Sequence, residues 1–313
     1  MANSGTPPLV TVFGGGGFVG RYVCEYLLKS GVRLRVAERS PRKAWFLQPL
    51  GSVGQVSAVA ADLSRPATIE RAVEGASAVV NLVGVFKGNL DAIHVTGARL
   101  AAEAAKATGA EAFVQVSAIG ADPDAASDYG RTKGLGEAAV REAFPSATII
   151  RPSVVFGPED DFTNRFASMA RLPILPVIAP RTRFQPIYVR DLAQAIAAAA
   201  LDPKAHGGKT YELGGPDQLT MRDLNAEIAG LAGQSPDLVD VPDFVAGGMA
   251  ALGFLPVAPL SKDQWTMLQR DNVADGSHPG LDAFGIAATP IAAVAPEWLG
   301  RFHKGGRFAP RAA

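Results

Sequence analysis

Short apolar, β-branched runs alternate with longer stretches of helical spacing over the first half of the chain. Residues 9–13 (LVTVF) form an uninterrupted apolar run of the length of a buried strand. Glycines follow at 14–17 and at 20, and residues 21–28 carry their apolar positions at helical spacing. Gly31 ends that helix, and 32–37 (VRLRVA) alternate with period two, a second strand. Further strands are expected at 56–61, 78–83, 112–116 and 147–150, with helices near 69–73 and over 91–107. Strands alternating with helices in this way predict βαβ units, right-handed crossovers and a parallel α/β sheet.

The second half is less regular. Residues 159–176 read as part of a separate lobe. A strand is expected at 184–189, then a helix over 190–196 with Asp191 at its start. A last short strand at 210–216 precedes Thr220, the expected cap of a helix running to 231. These elements predict a nucleotide-binding domain over 1–158 and a smaller C-terminal lobe over 159–313, with 184–215 returning to the sheet. From Val241 the composition shifts: 244–255 carries no charge, and Pro256 and Pro259 follow. The run is too short to span a bilayer, which needs about 20 apolar residues. Val245, Met249 and Leu252 share a helical face there, suited either to covering a substrate cleft or to a membrane-surface or partner contact.

The spacing Gly14-x-x-Gly17-x-x-Gly20, set between a strand and a helix, carries specific chemistry. One glycine permits the tight turn, one lets backbone approach a pyrophosphate, and one lets the helix pack on the strand. Free N–H groups at the helix start, near Phe18 and Val19, then face the phosphates. This points to a Rossmann-type doubly wound parallel sheet, whose ligands gather at the carboxyl ends of its strands. Those ends bring Gly14, Arg39, Asp62 with Leu63, Val83 with Gly84, Ser117 and Pro152 to one edge. The second strand ends at Glu38-Arg39, where an acid would read a ribose 2′-OH and an arginine a 2′-phosphate. Arg42 and Lys43 add cations, which places NADP(H) ahead of NAD(H). Asp62 is expected either to reach an adenine edge or to cap the next helix.

Tyr129-x-x-x-Lys133 puts a phenol and an ammonium on one helical face. A tyrosine needs a neighbouring cation to act as an acid or base near neutrality. Ser117, at a strand end, is placed to polarise a carbonyl, which completes a Ser117/Tyr129/Lys133 catalytic set. The expected cofactor contacts are Gly14, Gly17, Phe18, Val19, Gly20, Arg39, Arg42, Lys43, Asp62, Leu63, Val83, Gly84, Tyr129, Lys133 and Pro152.

Composition narrows the rest. Thirty Lys+Arg balance thirty Asp+Glu, so the footprint of a nucleic-acid binder is missing. The four histidines (His94, His206, His278, His303) show no metal-ligand spacing, and no metal is expected. Cys24 is the one cysteine, a buried small hydrophobe in the first helix, consistent with a reducing compartment. Residues 1–8 show no signal-peptide pattern, so a cytoplasmic location is expected.

The glycine motif, Tyr129-x-x-x-Lys133, Arg151-Pro-x-x-Val-Phe-Gly-Pro158 and Val189-Arg-Asp191 together resemble the extended short-chain dehydrogenase/reductase superfamily over nearly the whole chain. Within it the sequence is most similar to an atypical branch, the nucleotide-binding accessory subunit of respiratory complex I and its bacterial relatives. That finer likeness is carried by Phe13-Gly14 to Arg21-Tyr-Val, Arg39, Gly136-Glu137, Ala143-Phe-Pro145, Glu159-Asp160, Phe166-Ala-Ser-Met169, Gln185-Pro-Ile-Tyr-Val189, Pro279-Gly-Leu281, Gly285-Ile286 and Ala288-Thr-Pro290. The resemblance implies tightly held NADPH with Arg39 near its 2′-phosphate. It also implies complex I subunits as partners, with peripheral contact at the cytoplasmic face of the inner membrane. Two departures bear on turnover. Phe13 stands where active extended enzymes have threonine, and Ser117 precedes Tyr129 by only 12 residues. The alternative is a working NADP-dependent oxidoreductase or epimerase on a quinone-like or isoprenoid substrate. A redox-sensing regulator would have lost Tyr129 or Lys133, and both are present.

Overall fold

The computed structural model describes residues 6–251 and 260–303. Along the chain, β1 (Leu9–Phe13), α1 (Phe18–Lys29), β2 (Arg33–Glu38), a 3₁₀ segment (Pro41–Leu50), β3 (Val56–Ala60), α2 (Pro66–Val73) and β4 (Ala78–Asn81) come first. A π-helical turn (Ala92–Gly97) leads into α3 (Ala98–Ala107), then β5 (Ala112–Val116), α4 (Asp128–Ala143) and β6 (Thr148–Pro152). Next come β7 (Val155–Phe156), α5 (Asp161–Met169), β8 (Ile174–Val177), β9 (Arg183–Phe184), β10 (Ile187–Tyr188) and α6 (Val189–Leu201). After these follow α7 (Pro203–His206), β11 (Thr210–Leu213), β12 (Leu219–Thr220), α8 (Met221–Leu231), β13 (Asp237–Asp240) and α9 (Asp243–Ala251).

The described residues divide into two compact units. Unit 1 comprises residues up to Pro152, Arg190–Leu213 and Gly276–Ile286. It holds a seven-stranded sheet of order β11-β6-β5-β4-β1-β2-β3, every pairing parallel. Parallel strands covered on both faces are apolar throughout, and all five residues of β1 are buried. Phe13, Leu63, Ile69, Val79, Phe113 and Ile149 belong to one core beneath the helices. Phe13 is therefore a packing residue. The β11 edge is covered by the segment around Pro279, whose carbonyl accepts from Glu212 N–H at 3.2 Å. Phe284 stacks there on His206 at 4.5 Å between ring centres.

Unit 2 comprises Ser153–Val189, Gly214–Asp275 and the chain from Ala287 on. Its core gathers Phe156, Val177, Phe184, Leu224, Ile228, Ile291 and Trp298. Thr220 caps α8, its hydroxyl accepting from Asp223 N–H at 3.1 Å.

Several elements differ from the sequence expectation. β4 ends at Asn81, two residues early, because the Asn81 side chain takes over: its Oδ1 accepts from Val83 N–H at 3.2 Å and its Nδ2 donates to Gln115 at 2.9 Å. The helix expected over 91–107 opens with the π-helical turn, whose His94 carbonyl comes so close to α4 that a Cβ at Gly136 would lie 2.1 Å from it. Residues 184–188 do not re-enter the large sheet. They form β9 and β10, which pair with β12 and β7 in two-stranded ribbons, and β11 alone re-enters the sheet. Asp62 does not cap α2, whose N-cap is Arg65 with Pro66 next. Its carboxylate instead accepts from Ser64 N–H at 2.9 Å and Ser64 Oγ–H at 2.7 Å. The apolar run at 244–255 forms α9 as far as Ala251, with Ala246 and Ala250 as its buried positions and Phe244 and Val245 exposed. Leu252, Leu255, Pro256 and Pro259 lie outside the described residues.

Candidate functional site: a glycine turn and a Tyr-Lys cluster

The turn between β1 and α1 is shaped by backbone. Gly14 sits at φ +82°, the left-handed region, and its N–H donates to Ala37 O at 3.1 Å. A Cβ at Gly20 would lie 2.3 Å from Gly14 O, so α1 can pack on the turn only with glycine there. Gly15 is equally confined, against Val36 and the buried Cys24. Gly17 differs: a Cβ there would approach nothing but Gly14 O, at 3.2 Å. Gly17 is also the N-cap of α1, without a side-chain cap, and no acid occupies the first turn beginning at Phe18 and Val19. That combination suits a phosphate: an open face, unfilled donors and the positive end of the helix dipole.

At the end of β2 the two candidate ribose readers separate. The Glu38 carboxylate turns back to the turn and accepts from Gly16 N–H at 2.8 Å. Arg39, Arg42 and Lys43 remain exposed. Ser64 holds the Asp62 carboxyl below its ordinary range, with smaller help from the charges of Arg65 and Arg39. Arg39 and Asp62 are thus electrostatic neighbours at adjacent strand ends. Leu63 points into the core and offers only backbone to a ligand.

The line of groups continues across the sheet. A Cβ on Gly14 would lie 3.4 Å from Val83 Cγ2, and one on Gly84 would lie 3.5 Å from Lys133 Nζ. Ser117 N–H donates to Ile150 O at 2.7 Å, and Pro152 O accepts from Ile119 N–H, which ties the ends of β5 and β6 together. Ser117 is buried, and its Oγ has no hydrogen-bond partner among the described residues.

Tyr129 and Lys133 stand one turn apart on α4, as the spacing predicts. The helix is held from both sides. Ser127 caps it by accepting from Gly130 N–H at 3.1 Å, and Gly134 and Gly136 admit neighbouring backbone too close for any Cβ. One turn beyond Lys133, the buried Glu137 takes a bidentate pair from Arg151 at 2.8 and 2.7 Å, and Arg151 also reaches Glu212 at 3.3 Å. That network ties α4 to β6 and β11.

The Tyr129 ring is half-buried, and the Phe86 ring that lies over it is exposed. The Phe86 ring lies flat on the Tyr129 ring, 4.6 Å between centres and 14° from parallel. His94 meets the same ring edge-on at 5.5 Å. Lys133 Nζ lies 5.9 Å from the Tyr129 ring centre and donates to Val116 O at 2.9 Å. Burial pulls the Lys133 ammonium down to about 8, against the opposing pull of Glu137. Burial raises the Tyr129 phenol above its ordinary range.

His94 and Phe86 belong to the candidate site around Tyr129 and were missed by sequence reasoning. Val85 N–H donates to His94 Nε2 at 3.0 Å, so the ring proton belongs on Nδ1 and is donated to Thr132 Oγ1 at 2.9 Å. The Thr132 hydroxyl in turn donates to Asp128 O at 2.8 Å. Burial first, and then the Lys133 charge, lower His94 to about 4, so it stays neutral. It pins the loop after β4, which carries Phe86, to the helix that carries Tyr129. The sequence showed only one histidine among four, without ligand spacing. No group of three or more His, Cys, Asp or Glu among the described residues is placed to hold a metal.

Residues 10–214 match the NAD dependent epimerase/dehydratase family. The chain is 32% identical over 302 residues to NADH dehydrogenase (ubiquinone) 1 alpha subcomplex subunit 9, mitochondrial, of Mus musculus, covering 94% of this chain and 80% of that protein. It is 33% identical over 240 residues to the ceramide reductase of Caulobacter vibrioides, covering 75% of this chain and 74% of that one. The NADPH-dependent quinone oxidoreductase QOR2 of Escherichia coli, solved with NADPH, shares the fold at a TM-score of 0.75 and 19% identity, covering 93% of this chain and 99% of that one. The glycine turn, the parallel sheet and these likenesses agree: the chain belongs to the NAD dependent epimerase/dehydratase family, within the extended short-chain dehydrogenase/reductase superfamily.

Proposed function

We propose that this protein holds NADP(H) in unit 1 and serves as an accessory or assembly subunit of a respiratory complex I, attached peripherally at the cytoplasmic face of the inner membrane. The glycine turn and the start of α1 at Phe18 and Val19 hold the pyrophosphate. Arg39, with Arg42 and Lys43 beside it, holds the 2′-phosphate. One Glu38 carboxylate oxygen is taken by Gly16 N–H, while Arg39, Arg42 and Lys43 stay exposed beside it, which supports NADP(H) over NAD(H). Asp62 lies beside the adenosine end, while Val83, Gly84, Lys133 and Pro152 border the nicotinamide end. A bound NADPH supplies a hydride donor. The accessory partner is supported by the 32% identity to the complex I subunit over 94% of this chain. Among the described residues no helix is long and apolar enough to cross a membrane.

One observation carries the accessory reading over an enzymatic one: Phe86 covers the Tyr129 ring while the Lys133 ammonium is engaged by Val116 O. Purified protein should retain NADPH and oxidise it negligibly when offered small carbonyls or soluble quinones. Steady NADPH consumption that disappears in Tyr129→Phe would overturn that reading. Such a result would establish the second reading, an active oxidoreductase in which Ser117 polarises the carbonyl and Tyr129 delivers the proton. The unpartnered Ser117 Oγ favours that alternative, as does the likeness to a ceramide reductase.

A further inference from the structure

Gly16 is not one of the three glycines whose spacing marks the phosphate-binding turn, yet it is as confined as they are. Gly14 is left-handed and Gly16 is not, so the Gly16 backbone would itself accept a side chain. Its neighbours exclude one. A Cβ at Gly16 would lie 2.9 Å from Lys43 O, 3.1 Å from Lys43 C and 3.0 Å from Glu38 Oε1. The other glycines of the turn meet different walls: Val83 and Leu82 at Gly14, Val36 and Cys24 at Gly15, and the turn's own backbone at Gly17 and Gly20. Gly16 is where the turn meets the loop that follows β2.

That loop carries the cations Arg39, Arg42 and Lys43, all exposed. Its backbone is fixed at both ends. Lys43 N–H donates to Ser40 O at 3.0 Å, and the fully buried Ala44 and Leu47 anchor the 3₁₀ segment that follows. The Lys43 carbonyl then lies against Gly16. Glu38, at the start of the loop, is held twice. Its carbonyl accepts from Ala61 N–H at 3.0 Å, at the end of β3, and its carboxylate accepts from Gly16 N–H at 2.8 Å. The start and the end of the cationic loop therefore abut the same glycine of the phosphate-holding turn, one through a side-chain hydrogen bond and the other through backbone contact.

We propose that Gly16 and Glu38 are the positioning residues that set the preference for NADP(H): the bare Cα of Gly16, and the Glu38 carboxylate on its N–H, dock the 39–43 loop onto the glycine turn and fix its cations relative to the pyrophosphate-holding donors. This rests on the proposed NADP(H) site and deepens it, since Arg39 supplies charge while Gly16 and Glu38 supply its place. Cations already held in position lose less freedom when a phosphate arrives, so the docked loop binds one more tightly than a loose loop would. NADH has no 2′-phosphate, so the same docking matters little to it. Glu38 is thereby assigned to the turn, and not to the reading of a ribose 2′-OH.

The test titrates NADPH and NADH into the full chain by calorimetry and compares three variants. Gly16→Ala should narrow the preference for NADPH by about tenfold, the worth of one misplaced charge-assisted hydrogen bond, and change NADH affinity by less than about threefold. Glu38→Ala should narrow the preference likewise. Glu38→Gln, which keeps an acceptor for Gly16 N–H, should restore it. A second measurement needs neither cofactor nor the glycine variant. In the cofactor-free chain the Gly16 amide should exchange with solvent roughly tenfold faster in Glu38→Ala than in the unmodified protein, and Glu38→Gln should retain the protection. Equal weakening of NADPH and NADH by Gly16→Ala would overturn the proposal. So would a selective loss of NADH in Glu38→Gln, which would make Glu38 a ribose reader, or a Gly16 amide equally protected with and without the Glu38 side chain. Those outcomes leave the NADP(H) site standing as long as the unmodified chain binds NADPH. An unmodified chain that binds neither dinucleotide would instead overturn the function on which this role rests, and the role with it.

Discussion

The glycine turn and the Tyr129 cluster lie along one edge of one sheet, yet they differ in what they leave open. At the turn the chain satisfies its own geometry with backbone and keeps a face clear: a Cβ at Gly17 would meet only Gly14 O, and α1 has no side-chain cap. At the cluster Phe86 covers Tyr129, Val116 O engages Lys133, and His94 spends both ring nitrogens on Val85 and Thr132. Only the Ser117 hydroxyl is unpartnered there among the described residues. On the proposed reading, binding and turnover are separable properties of this edge, and the two regions can be tested apart.

Spoiling the turn should break the comparison most severely. In Gly20→Val the new side chain meets Gly14 O and Gly15 backbone, which cannot yield without reshaping the turn. We expect NADPH retention to be lost and stability to fall by roughly 3 kcal/mol, read by calorimetry and thermal melting. Near-normal NADPH affinity in that variant would show that the turn is not the binding face.

Acid should act on the cluster next most strongly. His94 is held at about 4 in the folded protein against an ordinary 6.5. As pH falls from 6.5 toward 4 the unfolded chain takes up a proton that the folded chain refuses. This contribution is fully present above pH 6.5 and is lost on the way down, roughly 2–3 kcal/mol in all. His94→Gln should show a correspondingly smaller loss between neutral and acid pH in denaturant titrations. Parallel curves for the two proteins would contradict a buried, neutral His94.

Arg39→Ala sharpens the binding side. It should weaken NADPH by about ten- to a hundredfold, the worth of one charge-assisted hydrogen bond, and leave NADH unchanged. An equal loss for both cofactors, measured by titration calorimetry, would remove Arg39 from the 2′-phosphate.

The smallest effects are expected at the covered ring. Phe86→Ala and Tyr129→Phe should each leave NADPH affinity within about threefold, since neither forms part of the phosphate-holding turn. If covering the ring is what suppresses chemistry, Phe86→Ala should raise any residual NADPH oxidation and Phe86→Ala/Tyr129→Phe should abolish the gain. A rate indifferent to both changes would place the block elsewhere.

Much of this was legible locally. The run LVTVF and the alternation at 32–37 gave β1 and β2 to within a residue because strand period is a property of neighbouring positions. Tyr129 and Lys133 share a face because helical spacing alone brings them there. The early end of β4 was not legible, since Asn81 terminates it through a side-chain bond to Gln115, 34 residues away. The failure of residues 184–188 to join the large sheet has a similar origin. Their apolar pattern makes them strands, and only their partners β7 and β12 determine which sheet they enter.

The sequence by itself determined the alternating elements, the glycine turn and the one-turn spacing of Tyr129 and Lys133, because each depends on residues within a few positions of one another. Tertiary structure decided what those groups are free to do. It turned Glu38 onto Gly16, 22 residues back, and left Arg39 to face the solvent. It set His94 against Thr132, 38 residues on, and drew Arg151 between Glu137 and Glu212, the latter 61 residues further. Hydrogen bonds and burial of that range depend on which strand and helix ends the fold brings together, and no local period encodes them.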